Sequence, residues 1–508
     1  LFFLPAIILE NLLLFKKKTS VYSKANMKDT TKKESGGPSL KLNVKRTAII
    51  GFAFFGILLL WQVYDVWCAP FLTNLFMDAF HTSKSEEVTY LVGLVMAMDN
   101  LAALVLMPIF GKLSDKTHTK IGKRMPYILI GTFVCAIAFP FIPVFFYYNN
   151  IAGVIAMMAI VVCFAMMYRN PAVALMPDLT PKPLRSKANG IINIMGYFGG
   201  AFAMVVGIFF AYSAYLGNEG TDNWAYHNFW VIEIPFLVAS VLMVISALIL
   251  FFSINENELS ERLAKDMEEG DKEAAVIDSV EDDTEKPMSK ANKIMLLLIL
   301  GAEFFWFMSE NGVNTFMTVY SLDYLKVSSA SNMIMTIVGG VGSVLGYAIG
   351  GFIAAKIGRK WTIVSGLSLT LFGTALWLIF QFAIGKGAPI NGTLNYAFPW
   401  YLYLVWPLKG FGMSLVHLNS FPMVVELCSK KKIGQFTGYY YMSSMTAQTV
   451  TPILLGLLLL NKHLYWSFLP VYALITLAIS LGIFFFVKNV KTTKTQFKKG
   501  LEGIGEDD

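Results

Sequence analysis

Apolar runs of about twenty residues recur along this chain, each long enough to cross a hydrocarbon layer as a helix, and short polar loops separate them. Twelve such windows can be read, at about 48–74, 88–110, 126–147, 151–171, 188–215, 228–252, 293–322, 330–354, 361–384, 399–427, 436–460 and 464–487. An even count places both termini on one side. The loops after the second, fourth, eighth and tenth spans carry fourteen Lys and Arg, against Lys84, Lys326, Lys386 and Lys462 on the other face, so the heavier face and both termini are expected to be cytoplasmic. From about Ser253 to Lys290 the pattern breaks into a long acidic stretch that reads as a linker between two six-helix halves. Near Glu256 to Glu273 it reads either as a polar amphipathic helix or as disorder. The expected map is a tail over 1–47, a bundle over 48–252, a linker over 253–291, a second bundle over 292–488 and a tail over 489–508. The fold class is an all-α polytopic membrane protein with twelve transmembrane helices in two pseudo-symmetric six-helix bundles, placed in a plasma or inner cell membrane.

Composition agrees with the pattern: 56% of the 508 residues are hydrophobic and 15% charged, outside the balance of a soluble globular chain. The net charge of +7 lies in loops and tails flanking the spans, with no basic soluble domain and no aromatic platforms, which argues against a nucleic-acid partner. Cys68, Cys135, Cys163 and Cys428 lie in or beside apolar segments without metal-ligand spacing and read as small buried hydrophobes. The opening LFFLPAIILENLLLFKKK is broken by Pro5 and Glu10, whereas Met27 opens a Lys-rich tail. Met27 is therefore a candidate start that would leave residues 1–26 non-native; a cleaved signal is the weaker alternative, since no small-residue cleavage site follows. There is no GxxxxGK[ST] loop, and the glycine cluster GGVGSVLG lies inside a span, against an ATP-driven pump or membrane enzyme. The expectation is a protein without enzymatic activity or cofactor, functional as a monomer.

Between the second and third spans, PIFGKLSDKTHTKIGKRMP sets Lys112, Lys116, Lys120, Lys123 and Arg124 around Gly111 and Asp115. Basic side chains resist crossing the bilayer, Gly111 permits close helix approach, and Asp115 offers a carboxylate to a helix end or an Arg. The same grammar returns after the eighth span as Gly351, Lys356, Gly358, Arg359 and Lys360, with Ala355 in the place of Asp115, which predicts two related halves. Gly342, Gly346 and Gly350 recur every four residues and predict a stripe for tight helix packing.

Twelve spans, a long central loop and GxxxD plus GKR loops resemble the major facilitator superfamily. Within it the chain resembles the sucrose and disaccharide branch, whose loop has the form PxxGxxSD, a seven-residue basic spacer and a basic run closing on proline. Pro108, Gly111, Ser114, Asp115, Gly122, Lys123, Arg124 and Pro126 match at equal length. NPAVALMPDL at the end of the fourth span is similar to that branch's GPxRALxxDL, with Pro171, Ala174, Leu175, Asp178 and Leu179 in place. Similarity to the wider glycoside and cation symporter group is looser. The resemblance implies the major facilitator fold and proton-coupled symport of a disaccharide such as sucrose or maltose. The chain departs from it at Val173, where plant-type sucrose carriers have Arg, and at Val162, where they have Asp. The melibiose-type pair of carboxylates in the second span is also missing: Asp99 stands with Asn100, and Ala103 and Met107 fill the matching turns.

An ionised side chain at mid-bilayer costs roughly 2.5 to 3.5 kcal/mol on insertion scales, so those kept in spans should meet a wet cavity or a partner. An acid can shed that cost by binding a proton, whereas Arg cannot. Asp65, Asp99, Arg169 and Glu310 are accordingly assigned to proton or cation coupling, with Asp99 or Asp65 preferred for the proton. In the seventh span Glu303, Glu310, Asn314 and Ser321 share one helical face, adjoined by Trp306, Phe307 and Asn311. Carboxylates and amides grip sugar hydroxyls while aromatic rings cover pyranose faces. The sugar-contact candidates are Trp306, Glu310, Asn314, Asn193, Asn100, Tyr440 and Gln448. For Asn189, Tyr197, Ser444 and Gln448 the competing role is interhelical hydrogen bonding. Glu303 is expected near the inner membrane face, His417 as a packing residue, Lys409 as a helix partner, and Trp400 and Trp406 as interfacial anchors. Gly111, Asp115, Arg124, Asp178 and Arg359 are assigned to gating, since charged helix ends can latch one conformation and release another. Together these describe alternating access in which protonation weakens a pair between Arg169 and a carboxylate. A sodium-coupled glycoside symporter, a lipid or amphiphile carrier and a non-transporting receptor are the alternatives.

Overall fold

The computed structural model describes residues 41–181, 184–210, 229–278, 290–383, 399–425, 427, 433–460 and 466–488. Met27 and the N-terminal tail, Lys386, Cys428, Lys462, the end of the acidic linker and the tail beyond 488 lie outside the described residues. Among those described, regular structure is helical: α1 (Val44–Ala79), a 3-10 turn (Ser85–Glu87), α2 (Thr89–Lys116), α3 (Met125–Ala138), α4 (Phe141–Tyr147), α5 (Ile151–Asp178), α6 (Arg185–Phe209), α7 (Phe229–Ser253), α8 (Glu256–Asp278), α9 (Lys290–Asp323), α10 (Ser329–Ile357), α11 (Arg359–Ala383), α12 (Trp400–Val425), α13 (Ile433–Leu459) and α14 (Phe468–Phe485).

Among the described residues, each of the twelve windows read from the sequence is occupied by helix. The third is α3 and α4 together, interrupted at Pro140, whose ring removes a backbone donor. Eleven of the spans are both long and apolar enough to cross a bilayer. The remaining one, α12, has ample length at 26 residues. Its apolar character is diluted by Lys409, His417, Asn419 and two prolines. The linker ambiguity resolves as helix over Glu256–Asp278.

Local chemistry sets the helix ends. Asn150 accepts from the Gly153 amide at 2.9 Å to open α5, and Ser328 accepts from Ser331 at 3.3 Å to open α10. Gly358, at φ 83°, turns the chain between α10 and α11.

The chain forms two compact units. The first comprises α1 as far as Tyr64, α2 from Ala102, α3 to α5, α6 as far as Ala203, α7 and α8; the second comprises Asp65–Leu101, the end of α6 and α9 to α14. The division runs through α1, α2 and α6 and not along the sequence halves 48–252 and 292–488. In the first unit α3 packs on α5 and α7, with the Phe139 and Phe236 rings 4.7 Å apart. In the second, α9 lies against α13 and α14 around Ile299, Trp306, Tyr440, Leu477 and Phe484. The glycine stripe on α10 faces α12: a Cβ at Gly342 would stand 2.1 Å from the Pro407 carbonyl oxygen, and one at Gly346 2.8 Å from that of Phe411. The helices therefore pack backbone to backbone there.

Candidate functional site

Three polar clusters occupy the described residues, two in the second unit and one in the first. The most charged interior cluster joins α9 to α12. Glu310 Oε2 lies 2.9 Å from His417 Nε2, and both side chains are partly open, at 32% and 22% exposure. The Phe307 ring, one turn before Glu310, lies 5.3 Å from the His417 ring. Two turns before His417, Lys409 places its Nζ 4.4 Å from the centroid of Trp406 and 4.9 Å from that of Trp377, and it is within electrostatic range of Glu310. The two indoles meet edge to face at 5.1 Å. Such a shelf holds an ammonium by its ring quadrupoles where water is scarce. Carboxylate, imidazole and ammonium thus stand together with an aromatic lining, and Asn314 is exposed one turn beyond Glu310.

This geometry corrects several sequence expectations. His417 is the hydrogen-bond partner of Glu310 and not a packing residue, and Trp406 supports Lys409 instead of anchoring at the interface. Trp400, 60% exposed, keeps the form of an anchor. Trp306 is wholly buried in the α9 core, its ring 6.4 Å from Phe484, so it has no face to offer a sugar. Glu303 is wholly buried too and does not meet headgroups; neither carboxylate oxygen has a hydrogen-bond partner. Ser321 donates to the Met317 carbonyl within its own helix. Glu233 of α7, not singled out from the sequence, is a buried acid with one oxygen lacking a partner.

The second cluster lies where α1 and α2 contribute Asp65, Cys68 and Asp99; both acids are within electrostatic range of the buried Cys68 thiol. Asn100 donates its amide nitrogen to Asp99 Oδ1 at 2.8 Å. Arg169, also assigned to coupling, belongs to the other unit, where its guanidinium lies 5.9 Å from the Trp61 ring centroid. Three side chains of the uncharged stripes bond back onto their own helices. Asn193 donates to the Asn189 carbonyl, Gln448 to that of Ser444, and Ser444 to that of Tyr441. Tyr440 is the exception, its hydroxyl 2.9 Å from Ser420 of α12.

The third cluster, in the first unit, is built on the loop between α2 and α3. Arg124 is almost fully buried; its Nε donates to Asp178 Oδ2 at 2.9 Å, its Nη1 to Ser114 Oγ at 2.5 Å, and it pairs with Asp115. Lys123 reaches the same Asp178 oxygen at 3.0 Å. Burial pulls the Arg124 guanidinium down, but Asp178 and Asp115 outweigh it and hold it above its ordinary value. From the linker side, the carboxylate of Glu256 accepts from the successive amides of Lys123, Arg124 and Met125 at 3.0–3.1 Å. These are the unpaired donors at the start of α3, whose dipole favours an anion. Burial pushes the Glu256 carboxyl above the usual range, against the pull of those amides. Asn257 adds a bond to the Thr119 carbonyl at 2.9 Å.

Gly122 makes this closure possible: its φ is 117°, and a Cβ there would fall 2.1 Å from Glu256 Oε2. At Gly111 a Cβ would stand 2.5 Å from Asn170 Nδ2, which itself donates to the Met107 carbonyl. In the degraded second copy Arg359 opens α11, position 355 offers no carboxylate, and Lys360 donates to the Phe485 carbonyl at 3.0 Å. Sequence reasoning named Arg124, Asp115 and Asp178 but not Glu256, whose role depends on a contact 132 residues away.

Comparison with known proteins agrees with this architecture. A family model described as Major Facilitator Superfamily matches residues 50–383 and 299–504. Among curated proteins, the lactose permease of Lactobacillus helveticus is 26% identical over 218 residues, which are 40% of this chain; the chain spans only about a third (32%) of that relative's length. Among solved structures, the inward-open xylose transporter XylE from E. coli is 15% identical, with a TM-score of 0.59 over 90% of this chain and 98% of that one. The nucleoside transporter NupG, as its D323A mutant, is 13% identical, with a TM-score of 0.56 over 87% and 99%. A POT family transporter bound to a thioalcohol-conjugated peptide is 12% identical, with a TM-score of 0.59 over 87% and 95%. At these identities the structural likeness speaks for the fold.

Proposed function

This chain belongs to the Major Facilitator Superfamily, and on that premise we propose that it is a proton-coupled sugar symporter whose coupling centre is the Glu310–His417 pair. The observation that carries the reading is that pair itself: an acid and an imidazole from different helices, in contact at 2.9 Å, partly open, and lined by Phe307. Deep in a membrane protein such a contact is kept for work, because ionisable groups there are expensive. A proton arriving at the pair neutralises the carboxylate and breaks the attraction that joins α9 to α12. Glu310 is then free to donate to a sugar hydroxyl, and His417 to donate to another. Lys409, fixed on its indole shelf, maintains positive potential beside Glu310, so the carboxylate is re-formed once the proton leaves.

The resemblance to a lactose permease and the disaccharide-branch loop favour a disaccharide, with sucrose, maltose and lactose the first candidates. Glu310, Asn314, Asn193, Asn100, Tyr440 and Gln448 remain the proposed sugar contacts, and Trp306 leaves that set. Asp65, Asp99 and Arg169 are proposed as further coupling groups. The cluster at Asp115, Arg124, Asp178 and Glu256 is proposed as a cytoplasmic latch, with Gly111 and Arg359 as gating positions. A membrane potential of about 100 mV supplies roughly 2.3 kcal/mol per charge and one pH unit about 1.36 kcal/mol. One proton per sugar therefore sustains uptake against a gradient of several hundred-fold.

Uptake of labelled lactose, sucrose and maltose into proteoliposomes, with a pH gradient or a sodium gradient imposed in turn, tests this reading. Accumulation that follows the pH gradient and vanishes with an uncoupler is the expected result. Accumulation that follows sodium alone, or none above empty liposomes for any of the three sugars, overturns it.

A further inference from the structure

We propose that Glu303 is a second proton-binding residue, a carboxylic acid held neutral in the α9 core that gives up its proton when that core opens during transport. This deepens the symport reading and rests on it. Glu303 has no accessible surface, and both carboxyl oxygens lack a hydrogen-bond partner. An ionised carboxylate in that position would lose its hydration and gain nothing in return, so the group carries its proton in this conformation.

Among the described residues, none on the helices packed against α9 brings a hydrogen-bonded counter-charge to Glu303. On α13, Tyr440 faces Glu303 closely enough to feel it, but the hydroxyl is engaged with Ser420, and Ser443 donates to the Leu300 carbonyl at 2.9 Å. On α14, Ser480 donates to the Ala302 carbonyl at 2.9 Å, and the one titratable residue, Tyr472, lies at the level of Gly312 and Thr451. On α12, Lys409 and His417 attend Glu310, and neither they nor Tyr401 and Tyr403 hydrogen-bond to Glu303. Those of α10 are Tyr347 and Lys356, and neither hydrogen-bonds to Glu303. On α9 itself the indole nitrogen of Trp306, one turn on, is likewise buried without a partner.

A leucine would fill this place at no polar cost. An acid without partners earns its position only if another state of the protein supplies water or a base. Glu303 lies seven residues, about two turns, before Glu310 on the same helix. A movement of α9 against α12 that releases the Glu310–His417 contact therefore also disturbs the packing of Glu303 about two turns away on the same rigid helix. The chemistry is a single O–H bond: the proton leaves to water on one side of the membrane and is replaced from water on the other. With one proton at the Glu310–His417 pair and one at Glu303, two protons accompany each sugar.

Two measurements decide the matter. In proteoliposomes with the voltage clamped at zero by potassium and valinomycin, accumulation of labelled lactose, sucrose or maltose is followed as the pH gradient is stepped. Each coupled proton contributes about tenfold per pH unit. The wild type should rise about a hundredfold per unit and Glu303→Gln about tenfold, with Glu303→Asp recovering the steeper slope. Equal slopes for wild type and Glu303→Gln overturn the proposal while leaving the symport reading intact. A wild type indifferent to pH overturns the symport reading. In that case, infrared difference spectroscopy of the purified protein at neutral pH still judges Glu303: a protonated carboxylic acid band absent from Glu303→Gln supports it, and an identical spectrum overturns it. Should Glu303→Gln not assemble, Glu303→Asp serves the spectroscopic arm, because its acid band must shift in position.

Discussion

At the residue scale, the contact between Glu310 and His417 makes the sharpest demand. If the two side chains act as one proton-responsive unit, their effects cannot add. Glu310→Gln and His417→Gln should each reduce pH-driven sugar accumulation at least tenfold, and the double variant should be little worse than either. A double-mutant cycle on sugar affinity, measured by calorimetry, should return a coupling of about 0.5–3 kcal/mol. Additive losses would separate the two residues and remove the pair as a coupling centre. The sequence made half of this legible. Spacing of seven and four residues placed Glu303, Glu310 and Asn314 on one helical stripe, and cost in lipid marked the acids as meaningful. It could not say which member of the stripe meets a hollow and which meets a neighbour. Glu303 and Glu310 differ by a rotation of only about 20°, yet α13 and α14 close over the first while α12 brings an imidazole to the second. Trp306 went astray for the same reason: an indole beside an acid suits a sugar site or a core equally well, and the packing of Phe484 decides for the core.

At the scale of elements, the start of α3 is a junction of four chain segments, and its loop motif was readable while its closure was not. Spacing from Pro108 to Pro126 announced a charged hinge, and Asp178 was named from the end of the fourth span. Glu256 stayed hidden because it opens a polar helix whose docking partner is a row of backbone amides, which leave no mark in a sequence. The positive φ at Gly122 and the carboxylate seated against it form one device. Replacing Gly122 with Ala adds a methyl group where Glu256 Oε2 already stands and forces a side chain into a left-handed backbone. The expected cost is about 1–3 kcal/mol of stability, read as a lower melting temperature in detergent. Glu256→Ala strands the amides of Lys123, Arg124 and Met125 and should cost a similar amount. It should also speed proteolysis within Glu256–Asp278, since the linker helix loses its tether. Because both substitutions disrupt one contact, the double variant should be no worse than the poorer single. Unchanged melting in both variants would reduce the junction to a surface contact.

For the whole molecule, the strongest inference available without coordinates is topology, because hydropathy fixes the number of crossings and basic residues fix their direction. Eleven helices bear out their crossings by length and apolar character, and α12 has the length while Lys409 and His417 lower its apolar character. The direction rests on charge alone and makes a testable claim about opposite ends of a single helix. The 28 residues of α2 extend about 42 Å, comfortably more than a hydrocarbon core of about 30 Å. Lys84 precedes that helix and Lys120 follows it, and both are exposed. In a variant with its four native cysteines replaced, Lys120→Cys should react with a membrane-impermeant maleimide only after cells are opened. Lys84→Cys should react in intact cells. Among the described cysteines, Cys68 and Cys135 are buried and Cys163 is partly buried. Labelling of Lys120→Cys from outside would invert the protein. The Arg124, Asp178 and Glu256 junction would then face the exterior, where it could not serve as a cytoplasmic latch, although the chemistry of Glu310 and His417 inside the membrane would be untouched.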